Sequence, residues 1–128
     1  MGLKLTKMVT TLDSDNSEEL SAFYQKLLGW KRHDFNSDTE FIVLSNDKDG
    51  CMPVRLLFQQ VENYVPPVWP AEPGKQQQMT HLDFHVEDVE EGVAHALSCG
   101  ATLSPIQFAD RWRVMFDPAG HPFCICTK

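Results

Sequence analysis

The stretch that decides the fold is DSDNSEELSAFYQKLLGW, residues 13–30. Within it Leu20, Phe23, Tyr24, Leu27 and Leu28 fall at i, i+3, i+4, i+7 and i+8, the spacing of one helical face. Asp15, with Glu18 three residues on, is placed to satisfy the first orphan amides, and Gly29 stands where a helix closes in a left-handed residue. Ahead of the helix, Leu5 to Leu12 reads as a strand. After it come Lys31 to Phe35, Phe41 to Leu44, the turn Asp47-Lys48-Asp49-Gly50, and Val54 to Gln59.

The second half repeats this order. In MTHLDFHVEDVEEGVAHALSCG, residues 79–100, Met79 to Val86 alternates as a strand and Asp88 with Glu91 supplies the cap. Val89, Val93, Ala96 and Leu97 form the expected apolar stripe, which ends at Gly100. Ala101 to Phe108, Trp112 to Phe116, the turn Asp117-Pro118-Ala119-Gly120, and Phe123 to Cys126 complete the copy. Corresponding caps, stops and turns lie 73, 71 and 70 residues apart, so one unit has been used twice. The expected fold class is α+β, with two βαβββ modules over about 3–61 and 79–128 in a single domain. Between them, 62–78 carries four prolines and Gly74, reads as a linker or flap, and brings Tyr64 and Trp69 either over a core edge or into a pocket wall.

Composition narrows the function classes. The 128 residues suit one compact domain, and 42% hydrophobic with 23% charged residues is ordinary for a globular chain. A net charge of −7 without a Lys/Arg cluster argues against nucleic acid and anionic membrane as partners. No apolar run is long enough for a span or an export signal, so a cytoplasmic protein with reduced cysteines is expected.

Three segments carry a resemblance: FYQKLLGW at 23–30, HLDFHVEDV at 81–89 and FDPAGHPF at 116–123. With the paired modules they resemble the vicinal oxygen chelate superfamily of glyoxalase I, bleomycin- and fosfomycin-resistance proteins and extradiol dioxygenases. The look is that of small bacterial glyoxalase-like proteins. The resemblance implies curled mixed sheets around a cavity and a homodimer, but not one activity. In the enzymes, four side chains hold a divalent metal that acts as a Lewis acid. At the four matching positions this chain has Lys7, Arg55 (or Leu57 if the register slips), His81 and Cys124. Lys7 and Arg55 cannot bind a cation, and His81 with Cys124 alone is short of a stable seat.

Alternation puts His81, Asp83 and His85 on one strand face, opposite Leu82, Phe84 and Val86. That row reads as hydrogen-bonded polar lining, with a displaced metal site as the alternative. Cys51, His33, His95 and Cys99 carry no evident role, and His121 is expected in solvent. The leading expectation is a small-molecule-binding domain without a standard metal. Its anionic or oxygen-rich ligand would meet Lys7, Arg55, His81, Asp83, His85 and Arg113, walled by Trp30, Trp69 and Trp112. The alternative is a metal-dependent lyase, isomerase or dioxygenase using His81 with Asp83, His85 or Cys124.

Overall fold

Strand β1 (Met8–Ser14) opens the computed structural model, which describes residues 2–33, 41–47, 50 and 52–127. The chain divides into two compact units, Met1–Tyr64 and Val65–Lys128, each with its own helix and sheet. In the first unit β1 is followed by α1 (Ser17–Leu28), β2 (Lys31–His33), β3 (Phe41–Ser45) and β4 (Val54–Gln60). In the second come β5 (Leu82–His85), α2 (Val89–Cys99), β6 (Thr102–Leu103), β7 (Trp112–Phe116) and β8 (Pro122–Cys126). The sheet orders are β1-β4-β3-β2 and β5-β8-β7-β6, with the first pair parallel and the others antiparallel in both. The α+β class and the doubled βαβββ unit are therefore as the repeat predicts.

Each helix covers one face of its own sheet. On α1, Leu20, Phe23 and Tyr24 are buried, and the Tyr24 ring lies 5.7 Å from Phe58 beside the buried Leu44 and Leu56. On α2 the buried set is Val89 and Ala96, while Leu97 is exposed. The predicted stripe is thus turned, and Gly92 takes the place next to the sheet: a Cβ there would stand 2.7 Å from Ile125 Cγ2 and 3.3 Å from Val86 Cγ2. Under α2, Phe84 and Phe123 meet edge to face at 5.8 Å.

Gly29 and Gly100 are both left-handed caps, and Asp88 Oδ1 accepts from Glu91 N at 3.1 Å, as expected. At α1 the cap is Asn16 rather than Asp15, since Asn16 Oδ1 accepts from Glu19 N at 3.1 Å. Both Asp15/Glu18 and Asn16/Glu19 satisfy the spacing, so only the structure fixes the frame. Asn16→Ala is expected to cost about 1 kcal/mol in urea unfolding, and Asp15→Ala less than about 0.5 kcal/mol.

Partners, not propensity, set the strand ends. β1 begins at Met8 because its parallel partner begins at Val54, and β5 is trimmed to four residues by β8. The long strand expected over 101–108 reduces to Thr102–Leu103. Its continuation is displaced by the Gln107 side chain, whose Oε1 accepts from Val114 N at 2.8 Å and whose Nε2 donates to Val114 O at 2.9 Å. Of Lys31–Phe35, residues 34 and 35 lie outside the described residues, as do 48 and 49 of the first turn and Cys51. The second turn closes by Gly120 N donating to Asp117 O at 2.9 Å.

Of segment 62–78, residues 62–64 fall in the first unit and the rest in the second, which begins at Val65. Val68 N donates to Gln76 O at 2.6 Å, and Val68 bridges Gln77. Pro66 lies against Gly120, where a Cβ would stand 2.8 Å from Pro66 Cβ.

Candidate functional site

The face of the second sheet that α2 leaves uncovered is built from short-period alternation. Along β5, His81, Asp83 and His85 are exposed while Leu82, Phe84 and Val86 are half-buried. The parallel register sets Asp83 opposite Cys124 and His85 opposite Cys126, so both thiols lie beneath the polar row. Val114, Cys124 and Cys126 form a buried cluster against which Trp69, Trp112 and Phe116 pack. The proline-rich segment brings Trp69 over this surface. There it stacks on His81 at 5.0 Å and meets Phe108 at 5.6 Å, and Phe108 stacks on Trp112 at 5.5 Å.

Trp69, Trp112, the row His81, Asp83 and His85, and the two thiols line, with Arg111 and Thr127, an open cleft of about 390 Å³, a volume suited to a small organic molecule. His81 Nε2 stands 3.2 Å from Asp83 Oδ1, and His81 Nδ1 3.3 Å from Gln78 Oε1. One ligand atom each of His81, Asp83 and Cys124 lie within 4.8 Å of one another.

Burial pushes the Cys124 thiol up from 9.0 to about 12, helped by the Asp83 carboxylate, by Cys126 and by the hydrogen bond to Asp83. Cys126 is raised for the same first two reasons. At neutral pH Cys124 is a thiol rather than a nucleophilic thiolate. Its alkylation by iodoacetamide at pH 8 is expected to be at least about a hundredfold slower than that of a free cysteine. Folding favours the protonated thiol, so this contribution to stability is complete below the unfolded value near 9.0 and is lost as pH rises through about 12. The urea midpoint should fall across that interval, and less steeply in Cys124→Ser.

Of the predicted site residues, the structure gathers Trp69, His81, Asp83, His85 and Cys124 in this cleft, along with Trp112. Arg113 is not among them. Neighbouring Trp112 lines the cleft, so Arg113 projects to the other sheet face, where its guanidinium approaches Asp110 Oδ1 at 3.6 Å. Arg111 takes the cationic place in the lining, and Cys126 and Thr127 also enter it. The alternation from Cys124 could have revealed Cys126, since the two are two residues apart on one strand.

Lys7 and Arg55 belong to the first unit. The register Val9 opposite Arg55 matches Asp83 opposite Cys124, so Lys7 and Arg55 hold the positions that His81 and Cys124 hold in the second. Lys7 is exposed. Arg55 is engaged with Asp47 at 3.6 Å, and His33 Nε2 reaches the other oxygen of that carboxylate at 3.0 Å. His33 is therefore part of an ionic cluster, against the expectation of no role. The Ser45 hydroxyl first, then Arg55 and His33, hold the Asp47 carboxyl below its usual range. With a lysine and a carboxylate-bound guanidinium in two of four places, the superfamily's metal quartet does not fit this chain. Trp30 is half-buried in the first unit, and His121 is half-buried rather than in solvent, its N–H donating to Asp117 Oδ1 at 2.9 Å.

Comparisons with known proteins agree on the architecture. No curated protein matches the chain. A glyoxalase/bleomycin resistance protein/dioxygenase family enzyme from Burkholderia phytofirmans PsJN is similar in structure, with TM-score 0.63, 19% identity and coverage of 93% of this chain and 95% of that one. TnmS3, an antibiotic binding protein from Streptomyces sp. CB03234, gives 0.62 at 15% identity over 99% and 98%. A glyoxalase family protein from Enterococcus faecalis gives 0.60 at 23% identity over 96% of each chain. At these identities the likeness shows the fold. No helix among the described residues is long and apolar enough to cross a membrane. The family model described as a glyoxalase-like domain matches residues 9–126, nearly the whole chain, and this protein belongs to that family.

Proposed function

We propose that this chain binds and sequesters a flat, oxygen-rich organic molecule in the second unit's cleft. The observation that carries this reading is the juxtaposition of the Trp69, Phe108 and Trp112 rings with the polar row His81, Asp83, His85 and the cation Arg111. Flat rings accept a planar apolar body by stacking. His85 and Arg111 offer donors to carbonyl, phenolate or carboxylate oxygens at its rim, since Asp83 already engages His81. An inner face kept only for stability would carry aliphatic side chains in place of this row. A cytoplasmic homodimer belongs to the same reading, and light scattering of the purified protein checks the dimer.

Calorimetry and thermal-shift measurements against aromatic acids, hydroxylated quinones and peptide antibiotics test it. A binder should lose at least about tenfold in affinity in His85→Ala and in Arg111→Ala, each costing roughly one charge-assisted hydrogen bond. Stabilisation by no member of these classes, or indifference of a binder to both variants, overturns the reading. Lys7→Ala and Arg55→Ala read whether these cations take an anionic part of the ligand. Indifference to both confines recognition to the second unit. A metal-dependent lyase, isomerase or dioxygenase is the competing reading, favoured by the convergence of His81, Asp83 and Cys124. It requires turnover that appears on adding Zn, Ni, Mn or Fe.

A further inference from the structure

We propose that His81, Asp83 and Cys124 form a seat for one borderline transition-metal ion of the zinc or cobalt class, built wholly within the second unit. The seat differs from the superfamily quartet in drawing nothing from Lys7 or Arg55, and it holds an ion whether or not the protein performs a reaction.

Three observations carry it. Asp83 and Cys124 are direct neighbours across the parallel β5–β8 register, and His81 is two residues from Asp83 on the same face. Their ligand atoms lie within 4.8 Å of one another. Donors on one tetrahedral zinc, with bonds of about 2.0–2.3 Å, stand roughly 3.5 Å apart, so rotamer adjustment closes the site without moving either strand.

The second observation is the environment of the imidazole. Gln78 Oε1 lies 3.3 Å from His81 Nδ1 and Asp83 Oδ1 lies 3.2 Å from Nε2, so the outer ring nitrogen meets a side-chain amide while the inner one faces the carboxylate that would share the ion. A side-chain carbonyl holding the outer nitrogen is also how metal-binding imidazoles are oriented.

Third, the donor set selects the ion. The ion displaces the Cys124 proton to solvent, and the resulting thiolate, with an imidazole and a carboxylate, suits zinc and cobalt, whereas magnesium and calcium require oxygen ligands throughout. Three protein donors leave the fourth tetrahedral position open to the cleft, for water or an oxygen of a bound molecule.

The test uses the full-length, untagged, reduced protein with cobalt(II) and zinc(II) alone. Cobalt(II) should bind once per chain and give a thiolate-to-cobalt charge-transfer absorption, and zinc should displace it. Cys124→Ser, nearly isosteric, should abolish that absorption, whereas Cys126→Ser and Cys99→Ser should retain it. Asp83→Ala, at an exposed position, should weaken zinc by more than about a hundredfold and Gln78→Ala by about tenfold, as outer contacts do. If Cys124→Ser does not fold by circular dichroism, Asp83→Ala decides. No cobalt–thiolate absorption, its persistence in Cys124→Ser, or unchanged zinc affinity in Asp83→Ala overturns the seat while leaving the organic-ligand reading untouched.

Discussion

Phe123→Ala is expected to lower the unfolding free energy by about 3–5 kcal/mol, the usual cost of emptying a large aromatic site in a core. Phe123 is fully buried on β8, meets Phe84 edge to face at 5.8 Å, and pairs with both Leu82 and Met115 in the sheet. Strands on both sides and α2 above hold the cavity open, so little collapse can recover the loss. Phe123→Leu retains most of the apolar volume and should cost less than half as much. Urea unfolding followed by circular dichroism measures both, and a loss below about 1 kcal/mol for Phe123→Ala would show that the site collapses.

The second large effect belongs to Gly92. In a free helix, alanine in place of glycine would gain up to about 1 kcal/mol. Here a Cβ would stand 2.7 Å from Ile125 Cγ2, and Ile125 is itself buried in the sheet. Overpacking costs about 1–3 kcal/mol, so crowding wins and Gly92→Ala should be destabilising in spite of helix propensity. Gly92→Leu must lift α2 off β8 and is expected to cost about 3 kcal/mol. A stabilising Gly92→Ala in thermal unfolding would mean that Val86 and Ile125 yield.

Expectation and structure agree where the determinants are local and part where they are tertiary. Capping residues, helix stops and turns act over three or four residues, so Gly29, Asp88, Gly100 and the Asp117–Gly120 turn were legible in the sequence. Strand ends depend on what lies alongside, and the Gln107 side chain that replaces a strand beside Val114 has no local signature. In the site, the period-two row His81, Asp83, His85 was legible because the strand face alternates without interruption. Arg113 lies one residue from Trp112 along β7, which on a strand means the opposite face, whereas Arg111 precedes the strand, where alternation does not say which way a side chain turns. Cys126, two residues from Cys124 on β8, shares its pleat and so its face.

The stacking of Trp69 on His81 gives the cleft its own optical reporter. An indole in van der Waals contact with an imidazole changes its emission when that ring gains a proton or a ligand. Trp30, in the first unit, supplies an internal reference in the same spectrum. Occupancy of the cleft can therefore be followed by intrinsic fluorescence without a label, and Trp69→Phe would remove the imidazole-dependent part while leaving that of Trp112, which lines the same cleft.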